Sequence, residues 1–493
     1  MPAMRVLQVT AEIFPLLKTG GLADVAGALP LALEDVGQDV RVLLPGFPAI
    51  LAGLKDSVEV AAIEAPWGGR AVLMRGRIET DAETPFHAYV IDAPALYDRP
   101  GNPYEDAARQ PYGDNHRRFA LLGWVASRIA QRLDPAWQPE VVHAHDWHAG
   151  LAPAYMAFAD WQGAPRVASV FTVHNLAYQG VFQQQDFAGL GLPDAAFQME
   201  GLEYYGQLSF MKAGLFYADR LTTVSPTYAR EIQTPEQGYG LDGLLRSRAG
   251  ALDGILNGVD GGVWNPGTDA LLPHPYDVRR PGGKALCKAS LQQELGLASE
   301  PDAPLFVMVS RLAEQKGPHL VLDGLDALVA QGGQLALLGS GDRWLEDAFR
   351  DRAAAAPQSV SVTIGYNERF AHRLFGAGDV TLVPSMYEPC GLTQMYGLKY
   401  GSLPLVRNVG GLADTVVDCS LENIADGSAN GFVFDRFDAP GFARAVRRAI
   451  ALYRRPADWR RVRAGAMRQS ADWQIAAAQY VATYEKALAS TRA

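Results

Sequence analysis

The sequence predicts an α/β protein made of two doubly wound domains that face each other across a deep cleft. Short runs rich in Val, Ile and Leu alternate with helical patterns, as expected where helices cover both faces of a parallel sheet. The alternation stops at a Pro- and Gly-rich segment, 265–283, and then starts again. The 493 residues suffice for two large domains joined near that segment. Ligands of such sheets bind beyond the carboxyl ends of the strands, so we expect them in the cleft.

Each predicted strand is a short apolar run bounded by turn or helix signals. The first half carries strands at 5–10, 40–44, 87–92, 140–144, 167–173 and 220–224. The second half carries strands at 304–310, 334–338, 360–364, 379–384 and 403–406. Helices are predicted at 117–132, at 392–400 with its end at Gly401, and at 473–488.

Composition narrows the class of protein. Acidic residues outnumber basic ones, 54 against 44, which gives a net charge of -10. This balance disfavours nucleic-acid and membrane-surface partners, so any anionic ligand must meet local positive charge. Cys287, Cys390 and Cys419 have no CxxC spacing. The opening MPAMRVLQVTAE does not resemble a secretory signal, and no apolar run is long enough to span a membrane, so we expect a cytoplasmic protein.

A glycine-rich loop, Lys18 to Asp24, follows the first strand. Paired glycines let a backbone approach a ligand closely, and the next helix start offers N–H groups to phosphate. The loop matches neither GxxxxGK[ST] nor GxGxxG, and a tight turn with a solvated lysine is the alternative. Its GGLAD sequence recurs at 410–414. Either both copies present N–H groups to a shared cleft, or the repeated sequence is a coincidence.

Histidines cluster after two later strands. HAHDWH, at 143–148, has the residue types of a metal site, but no further ligand motif lies nearby. The alternative is a strand end whose polar side chains face the cleft. TVHN places His174 at another strand end, where it would contact a substrate, act as an acid or base, or serve only the structure.

Charged residues of the second half indicate a diphosphate and a polyol. Arg311 and Lys316 leave its first strand, where they would bind phosphate or remain surface cations. Gly391 and Thr393 would direct N–H groups at an anion from the next helix start. Glu388 would hold sugar hydroxyls, unless it is a solvated residue beside a Pro-Gly turn.

The motifs KTGGLADV, HAHDWH, TVHN, SRLxxQKG, EPCGLTQxYGLxYG and GGLADTV occur in this order. In this they resemble bacterial glycogen synthases and plant starch synthases. The resemblance implies two Rossmann-like domains in the GT-B arrangement and transfer of glucose, with retention, from ADP-glucose to the non-reducing end of an α-1,4-glucan such as glycogen. It implies no cofactor and no metal. It also implies that the last helix, within 473–493, returns to the first domain, 1–256, while 257–472 form the second.

The resemblance also assigns roles. It implies that Lys18 contacts the donor phosphate, His174 the glucose 6-hydroxyl, Arg311 and Lys316 the diphosphate, and Glu388 the glucose 3- and 4-hydroxyls. These five are the expected catalytic residues. The expected substrate-binding residues are Gly20, Gly21, Asp24, Asp146, Trp147, Asn257, Tyr366, Cys390, Gly391, Leu392 and Thr393. Tyr366 would lie beside the adenine, and Asp146 and Trp147 on the glucose and acceptor side.

Many retaining GT-B enzymes carry Glu-x7-Glu, whereas Tyr396 follows Glu388 here. Without a second carboxylate, we expect front-face substitution in which the leaving diphosphate accepts the proton, in a cleft that closes on the donor. The alternatives are use of UDP-glucose, a different linkage, or a non-catalytic glucan-binding regulator. A dinucleotide dehydrogenase and a pyridoxal-phosphate phosphorylase are disfavoured by their missing motifs. The sequence gives no oligomeric state.

Overall fold

The computed structural model describes residues 3–79, 85–469 and 471–492. The chain divides into two compact units, Met1–Gly258 with Trp473–Ala493, and Val259–Asp472. The Pro- and Gly-rich segment 265–283 therefore begins a few residues after the first junction, Gly258–Val259, and does not itself contain the boundary. It belongs to the second unit because polar anchors fix it there: the Tyr276 hydroxyl donates to backbone oxygens of Gly376 and Tyr400, at 3.0 and 2.8 Å.

A nine-stranded sheet forms the centre of the first unit in its described part, in the order β12-β11-β7-β6-β1-β2-β5-β4-β3. Three short strands, β8, β9 and β10, form a separate antiparallel sheet. The strands are β1 Arg5–Val9, β2 Asp39–Pro45, β3 Leu54–Glu64, β4 Arg70–Ile78, β5 Phe86–Asp92, β6 Val141–His145, β7 Ala168–Val173, β8 Val181–Gln183, β9 Glu203–Tyr204, β10 Gln207–Ser209, β11 Arg220–Thr223 and β12 Leu252–Gly254. The helices are α1 Gly21–Asp35, α2 Pro48–Gly53, α3 Pro94–Tyr97, α4 Asn115–Ala130, α5 Asp146–Ala149, α6 Leu151–Ala157, α7 Phe210–Tyr217, α8 Pro226–Glu231 and α9 Asp242–Ser247.

A six-stranded parallel sheet forms the centre of the second unit in its described part, in the order β15-β14-β13-β16-β17-β18. Its strands are β13 Leu305–Val309, β14 Gln334–Gly339, β15 Val360–Ile364, β16 Val380–Val383, β17 Leu403–Arg407 and β18 Phe432–Phe434. Its helices are α10 Gly282–Leu295, α11 Pro318–Ala330, α12 Arg343–Ala355, α13 Glu368–Ala377, α14 Thr393–Tyr400, α15 Gly410–Thr415, α16 Leu421–Asp426, α17 Ala439–Tyr453 and α18 Pro456–Met467.

The last helix, α19 Trp473–Arg492, packs on the first unit. Its side chains at 473, 476, 477, 480, 484 and 487 are buried at helical spacing against α1 and the strands beside it. This places Tyr480 and Tyr484 under β6 and β7, next to the polar residues at the ends of these strands.

Every strand predicted from the sequence is present, with each end shifted by at most one residue. The antiparallel pair β3 and β4 was not predicted. Residues 55–59 of β3 are exposed, so this strand lacks the apolar run that marks the central strands. The direction of strand succession reverses at β13 and β16 in the second sheet, and at β1 and β6 among the parallel strands of the first sheet. These switch points are where sheets of this kind bind ligands.

Candidate functional site

A pocket of about 160 Å³ opens at the switch point of the second unit. Arg311 and Lys316, from the segment after β13, line it together with Glu388 and Thr393, from the segment after β16. Two pairs of residues, taken from two different sequence motifs, thus meet in one place. Their meeting follows from strand order, because β13 and β16 are adjacent and parallel.

An ion pair crosses this pocket. Lys316 Nζ lies 2.6 Å from Glu388 Oε2, and the Ser385 hydroxyl donates to the same oxygen at 2.9 Å. Lys316 ends a short 3-10 turn, and Gly317 follows with φ 68°. An added Cβ at Gly317 would lie 2.2 Å from the backbone oxygen of Pro384, so the two loops approach too closely for any larger residue. The loop carrying Lys316 is thereby held against the loop carrying Glu388.

Arg311 and the start of α14 complete the lining. Arg311 is exposed, and its Nη2 donates to Gln315 Oε1 at 3.3 Å. Gly391 has φ 72°, and α14 begins at Thr393 with no side-chain cap. The first turn of a helix carries N–H groups without intrahelical partners and a partial positive charge. Such an uncapped helix start beside two cations can bind an anion.

In the second GGLAD copy, Gly411 uses its N–H within the chain and does not offer it to a ligand. The N–H of Gly411 donates to the backbone oxygens of Glu388 and Pro389, at 3.1 and 3.2 Å. An added Cβ would meet backbone oxygen at 1.9 Å from Gly410 and at 2.1 Å from Gly411. These glycines allow α15 to pack directly under the Glu388 loop and hold it in place.

The first copy differs from the second. An added Cβ at Gly20 or Gly21 meets nothing within 4 Å, so packing of the chain itself does not require either glycine. Lys18 Nζ lies 2.8 Å from Asp24 Oδ1, so these two expected ligand-binding residues form an ion pair with each other. The loop therefore has open space beside both glycines, where a ligand could approach the protein backbone closely.

Glu12 was missed by the sequence analysis. Its buried carboxylate accepts hydrogen bonds from the Thr19 N–H and hydroxyl, from the Gly20 N–H at 3.3 Å, and from the Tyr104 hydroxyl. It therefore sets the conformation of the glycine-rich loop. A carboxylate three residues after a buried strand is the only sequence signal, and nothing in the spacing links it to Thr19.

His143 and His145, in β6, and His174, just after β7, belong to a chain of hydrogen-bonded polar side chains. His145 Nδ1 lies 3.0 Å from His174 Nε2, and His143 Nε2 lies 2.6 Å from Thr172 Oγ1. No cluster of three His, Cys, Asp or Glu side chains suited to a metal occurs among the described residues. Burial lowers the pKa of His143, His148 and His174 to about 3 each. These rings are therefore neutral near pH 7.

Asp146 combines strain with a buried carboxyl group. Its φ is 58°, an unusual value for a residue other than glycine. Burial raises the pKa of this carboxyl group to about 8, although the backbone N–H groups of His174, Asn175 and Trp147 favour its charged form. In the described part of the chain, Asp146 Oδ1 and Asn257 Oδ1 are buried without a hydrogen-bond partner. A ligand hydroxyl would satisfy such oxygens.

The other expected residues lie in different surroundings. The Trp147 ring packs among aromatic side chains, 4.9 Å from the Phe119 ring between centroids, and a Cβ on Gly180 would lie 2.2 Å from it. Cys390 is buried and Leu392 half-buried beside α14. Tyr366 is 68% exposed after the edge strand β15, and its hydroxyl donates to Glu368. It does not line the pocket at β13 and β16.

Comparisons with known proteins agree over the whole chain. Residues 5–247 match the starch synthase catalytic domain family, and residues 293–462 match glycosyl transferases group 1. The catalytic domain of starch synthase IV from Arabidopsis thaliana, bound to ADP and acarbose, aligns with a TM-score of 0.89 at 30% identity, covering 99% of this chain and 100% of that one. Fold and site thus define a two-domain α/β glycosyltransferase with the GT-B fold.

Relatives specify the family. The chain is 72% identical over 492 residues to the glycogen synthase of Variovorax paradoxus (strain S110), covering 99% of each chain. It is 59% identical over 492 residues to that of Leptothrix cholodnii, covering 99% of this chain and 100% of the relative. The chain belongs to the glycogen synthase family. It is a glucosyltransferase of glycogen synthesis that uses a nucleotide-sugar donor and a glucan acceptor. None of the helices in the described ranges is long and apolar enough to cross a membrane.

Proposed function

We propose that this enzyme transfers glucose from ADP-glucose to the non-reducing end of an α-1,4-glucan such as glycogen, with retention of configuration. The observation that carries the proposal is the pocket at β13 and β16, which combines two cations, an uncapped helix start and one carboxylate. These are the groups that a diphosphate joined to a sugar requires. The bound ADP in the related starch synthase structure supports adenine as the base.

The donor diphosphate would contact Arg311, Lys316 and the backbone at Gly391 and Thr393. Glu388 would accept hydrogen bonds from glucose hydroxyls, since its buried carboxylate already faces the same pocket as Lys316. Cys390 and Leu392 would contribute the backbone beside the sugar. Tyr366 would contact the adenine side, as an exposed aromatic ring beyond the pocket lining.

Residues of the first unit would contact the glucose and the acceptor. Lys18 would contact phosphate, with Gly20 and Gly21 giving close backbone approach, and Asp24 would hold the Lys18 side chain. His174 would contact a glucose hydroxyl as a neutral imidazole. The buried oxygens of Asp146 and Asn257 would accept from sugar hydroxyls, and the Trp147 ring would pack against a sugar face.

Front-face substitution is the mechanism that fits these groups. A retaining hydrolase uses two carboxylates about 5 Å apart, one of them as the nucleophile. Among the residues lining this pocket, Glu388 is the carboxylate, and its oxygen is engaged by Lys316 and Ser385. Tyr396 occupies the position of a second carboxylate and stacks on Trp264 with ring centroids 3.8 Å apart.

In this mechanism the acceptor hydroxyl attacks the anomeric carbon from the side on which the diphosphate leaves. The bond from that carbon to the diphosphate oxygen breaks, the new glycosidic bond forms, and the departing diphosphate takes the hydroxyl proton. Arg311 and Lys316 stabilise the negative charge that develops on the diphosphate. Because these side chains supply the positive charge, turnover after treatment with EDTA is expected to be unchanged.

Donor choice is tested by incubating the purified chain and glycogen with radiolabelled ADP-glucose or UDP-glucose at equal concentration. We expect incorporation from ADP-glucose at a rate at least about tenfold higher, which corresponds to about 1.4 kcal/mol of discrimination. Proton NMR of the first product would show the α-anomeric signal. Equal or greater use of UDP-glucose would refute the donor assignment, and a β-linked product would refute retention. A cytoplasmic location, which we also propose, is testable by cell fractionation.

A further inference from the structure

A continuous chain of buried hydrogen bonds runs from α19 to His174 inside the first unit. The Tyr484 hydroxyl accepts from Gln8 Nε2 at 3.0 Å, and it lies 2.9 Å from His143 Nδ1. Gln8 Oε1 accepts from His145 Nε2, and His145 Nδ1 lies 3.0 Å from His174 Nε2. Tyr484, Gln8 and His145 are each at most 2% exposed, so water does not compete for the bonds among these three, and His174 at the end of the chain is half-buried.

The chain has one direction, which follows from the chemistry of its members. The carbonyl oxygen of Gln8 can only accept, so the proton of neutral His145 must be on Nε2. His145 Nδ1 is then an acceptor, and His174 donates to it from Nε2. A neutral imidazole carries a single N–H, so Nδ1 of His174 has no proton and can accept a hydrogen bond.

Tyr484 accepts a hydrogen bond from the nitrogen of the Gln8 amide, while the amide oxygen faces His145. With this bond accepted, the hydroxyl proton of Tyr484 is left for His143 Nδ1, 2.9 Å away. His143 would then donate from its other nitrogen to Thr172 Oγ1 at 2.6 Å. Turning the amide over would reverse every bond from Gln8 to His174.

We propose that Tyr484 is a positioning residue for the transfer reaction, because it fixes His174 in the tautomer whose Nδ1 accepts a hydrogen bond from a glucosyl hydroxyl. This rests on the proposed contact of His174 with the sugar. The relay itself does not depend on that contact, since all its members lie in the first unit and are joined by the bonds described above. Tyr484 is fully buried, so its proposed effect on the sugar acts through His174 and not by direct contact.

Tyr484→Phe removes the hydroxyl while keeping the ring. Gln8 then loses the acceptor that orients its amide, and the amide nitrogen can face His145 Nε2. His145 Nδ1 would carry the proton and donate to His174 Nε2, so His174 would be protonated on Nδ1 instead. We expect kcat to fall about tenfold, in the lower part of the range seen when a residue orienting a functional histidine is lost, with the donor KM changed less than about twofold.

Nitrogen-15 NMR of the full chain labelled at histidine measures the tautomer directly, and the His174 signals are assigned by their loss in His174→Gln. We expect Tyr484→Phe and Gln8→Leu to exchange the protonated and unprotonated nitrogen signals of His174. Tyr480→Phe is the matched control, since Tyr480 is equally buried on α19 and its ring lies 5.3 Å from that of His143. It should change neither the spectrum nor kcat.

An unchanged His174 tautomer in folded Tyr484→Phe would overturn the relay, and so would an equal effect of Tyr480→Phe. Thermal melting identifies any variant that loses its fold, in which case Gln8→Leu provides the same test one link closer to His174. If the tautomer changes while kcat does not, Tyr484 has no role in the reaction and the proposal fails. Full activity of His174→Gln would instead refute the proposed role of His174, whatever the tautomer does.

Discussion

Replacing Lys316 tests the proposed mechanism most directly. Its Nζ lies 2.6 Å from Glu388 Oε2, and the two side chains are 20% and 9% exposed. Lys316→Met keeps the length and most of the volume of the side chain and removes the charge. The pocket then loses a cation aimed at the leaving diphosphate, and the Glu388 carboxylate keeps Ser385 but loses its counter-charge.

The size of the effect follows from where charge develops. Removing one preorganised donor to a developing anion costs about 2.7–4 kcal/mol, or roughly 10²–10³ in kcat. The substrate diphosphate is already charged in the ground state, so part of the interaction also contributes to binding. The charge on the leaving oxygen grows as the sugar bond breaks, so the larger loss falls on kcat, and we expect the donor KM to rise less than about fivefold.

The assay measures initial rates against donor concentration at saturating glycogen. Lys399→Met is the control, because Lys399 is on α14 in the same unit, is 18% exposed, and pairs with Asp472 at 3.2 Å without lining the pocket. Its kcat should stay within about twofold of the parent. A raised KM with unchanged kcat in Lys316→Met would refute a role in stabilising the leaving group, and a similar loss in Lys399→Met would show that the effect is structural.

Two further predictions concern glycine and pH. Gly411→Ala places a Cβ 2.1 Å from a backbone oxygen, so we expect the unfolding free energy to fall by about 1–3 kcal/mol and activity to fall strongly. Gly21→Ala should lower activity alone and leave the melting temperature unchanged or raised. Chemical denaturation with parallel rate assays checks both variants, and a destabilised Gly21→Ala would contradict the open loop. Burial lowers the pKa of His174 to about 3 and also lowers the pKa values of the histidines in 143–148. Below about pH 6.5 the unfolded chain therefore binds more protons at these histidines than the folded chain does. The stability of the fold falls accordingly as the pH drops from 6.5 toward 3. Asp146, whose pKa is raised to about 8, has the opposite effect, because its contribution to the stability of the fold is lost as the pH rises from about 4 through 8. Calorimetry from pH 7.5 to 5 should therefore show falling stability, and a steeper fall in Asp146→Asn; a flat profile would contradict the buried neutral histidines.

The parts of the fold that could be predicted are those with a local signal. Central parallel strands are buried on both faces, so they give continuous apolar runs in the sequence. Most of the expected catalytic and substrate-binding residues lie in the segments that follow these strands. The β3 and β4 pair gave no such run because one strand is largely exposed. The Pro- and Gly-rich segment indicated the region of the domain junction but not its position, because Pro and Gly mark irregular backbone whether it links domains or lies on one of them.

Side-chain partners were beyond prediction for a different reason. Gln8 and Tyr484 are 476 positions apart, and Glu12 and Tyr104 are 92 apart, so neither contact has a sequence pattern. The two GGLAD copies are identical in sequence, yet packing leaves Gly21 open and places Gly411 against a backbone oxygen. The sequence therefore indicates which chemistry a residue can contribute, whereas the contacts of that residue depend on how the chain folds.

The Lys316–Glu388 pair has a consequence for ligand binding. A diphosphate entering the pocket meets a cation that a carboxylate 2.6 Å away already neutralises in part. The complete donor offers sugar hydroxyls to Glu388, which compensates that carboxylate and lets Lys316 turn toward phosphate, whereas ADP alone offers none. Glu388→Gln removes the competing charge, so we expect ADP to bind about three- to tenfold more tightly while glucosyl transfer falls by at least about a hundredfold. Titration calorimetry with ADP, beside rate measurements, tests this. Weaker ADP binding in Glu388→Gln would show that the pair preorganises Lys316 for the diphosphate rather than competing with it.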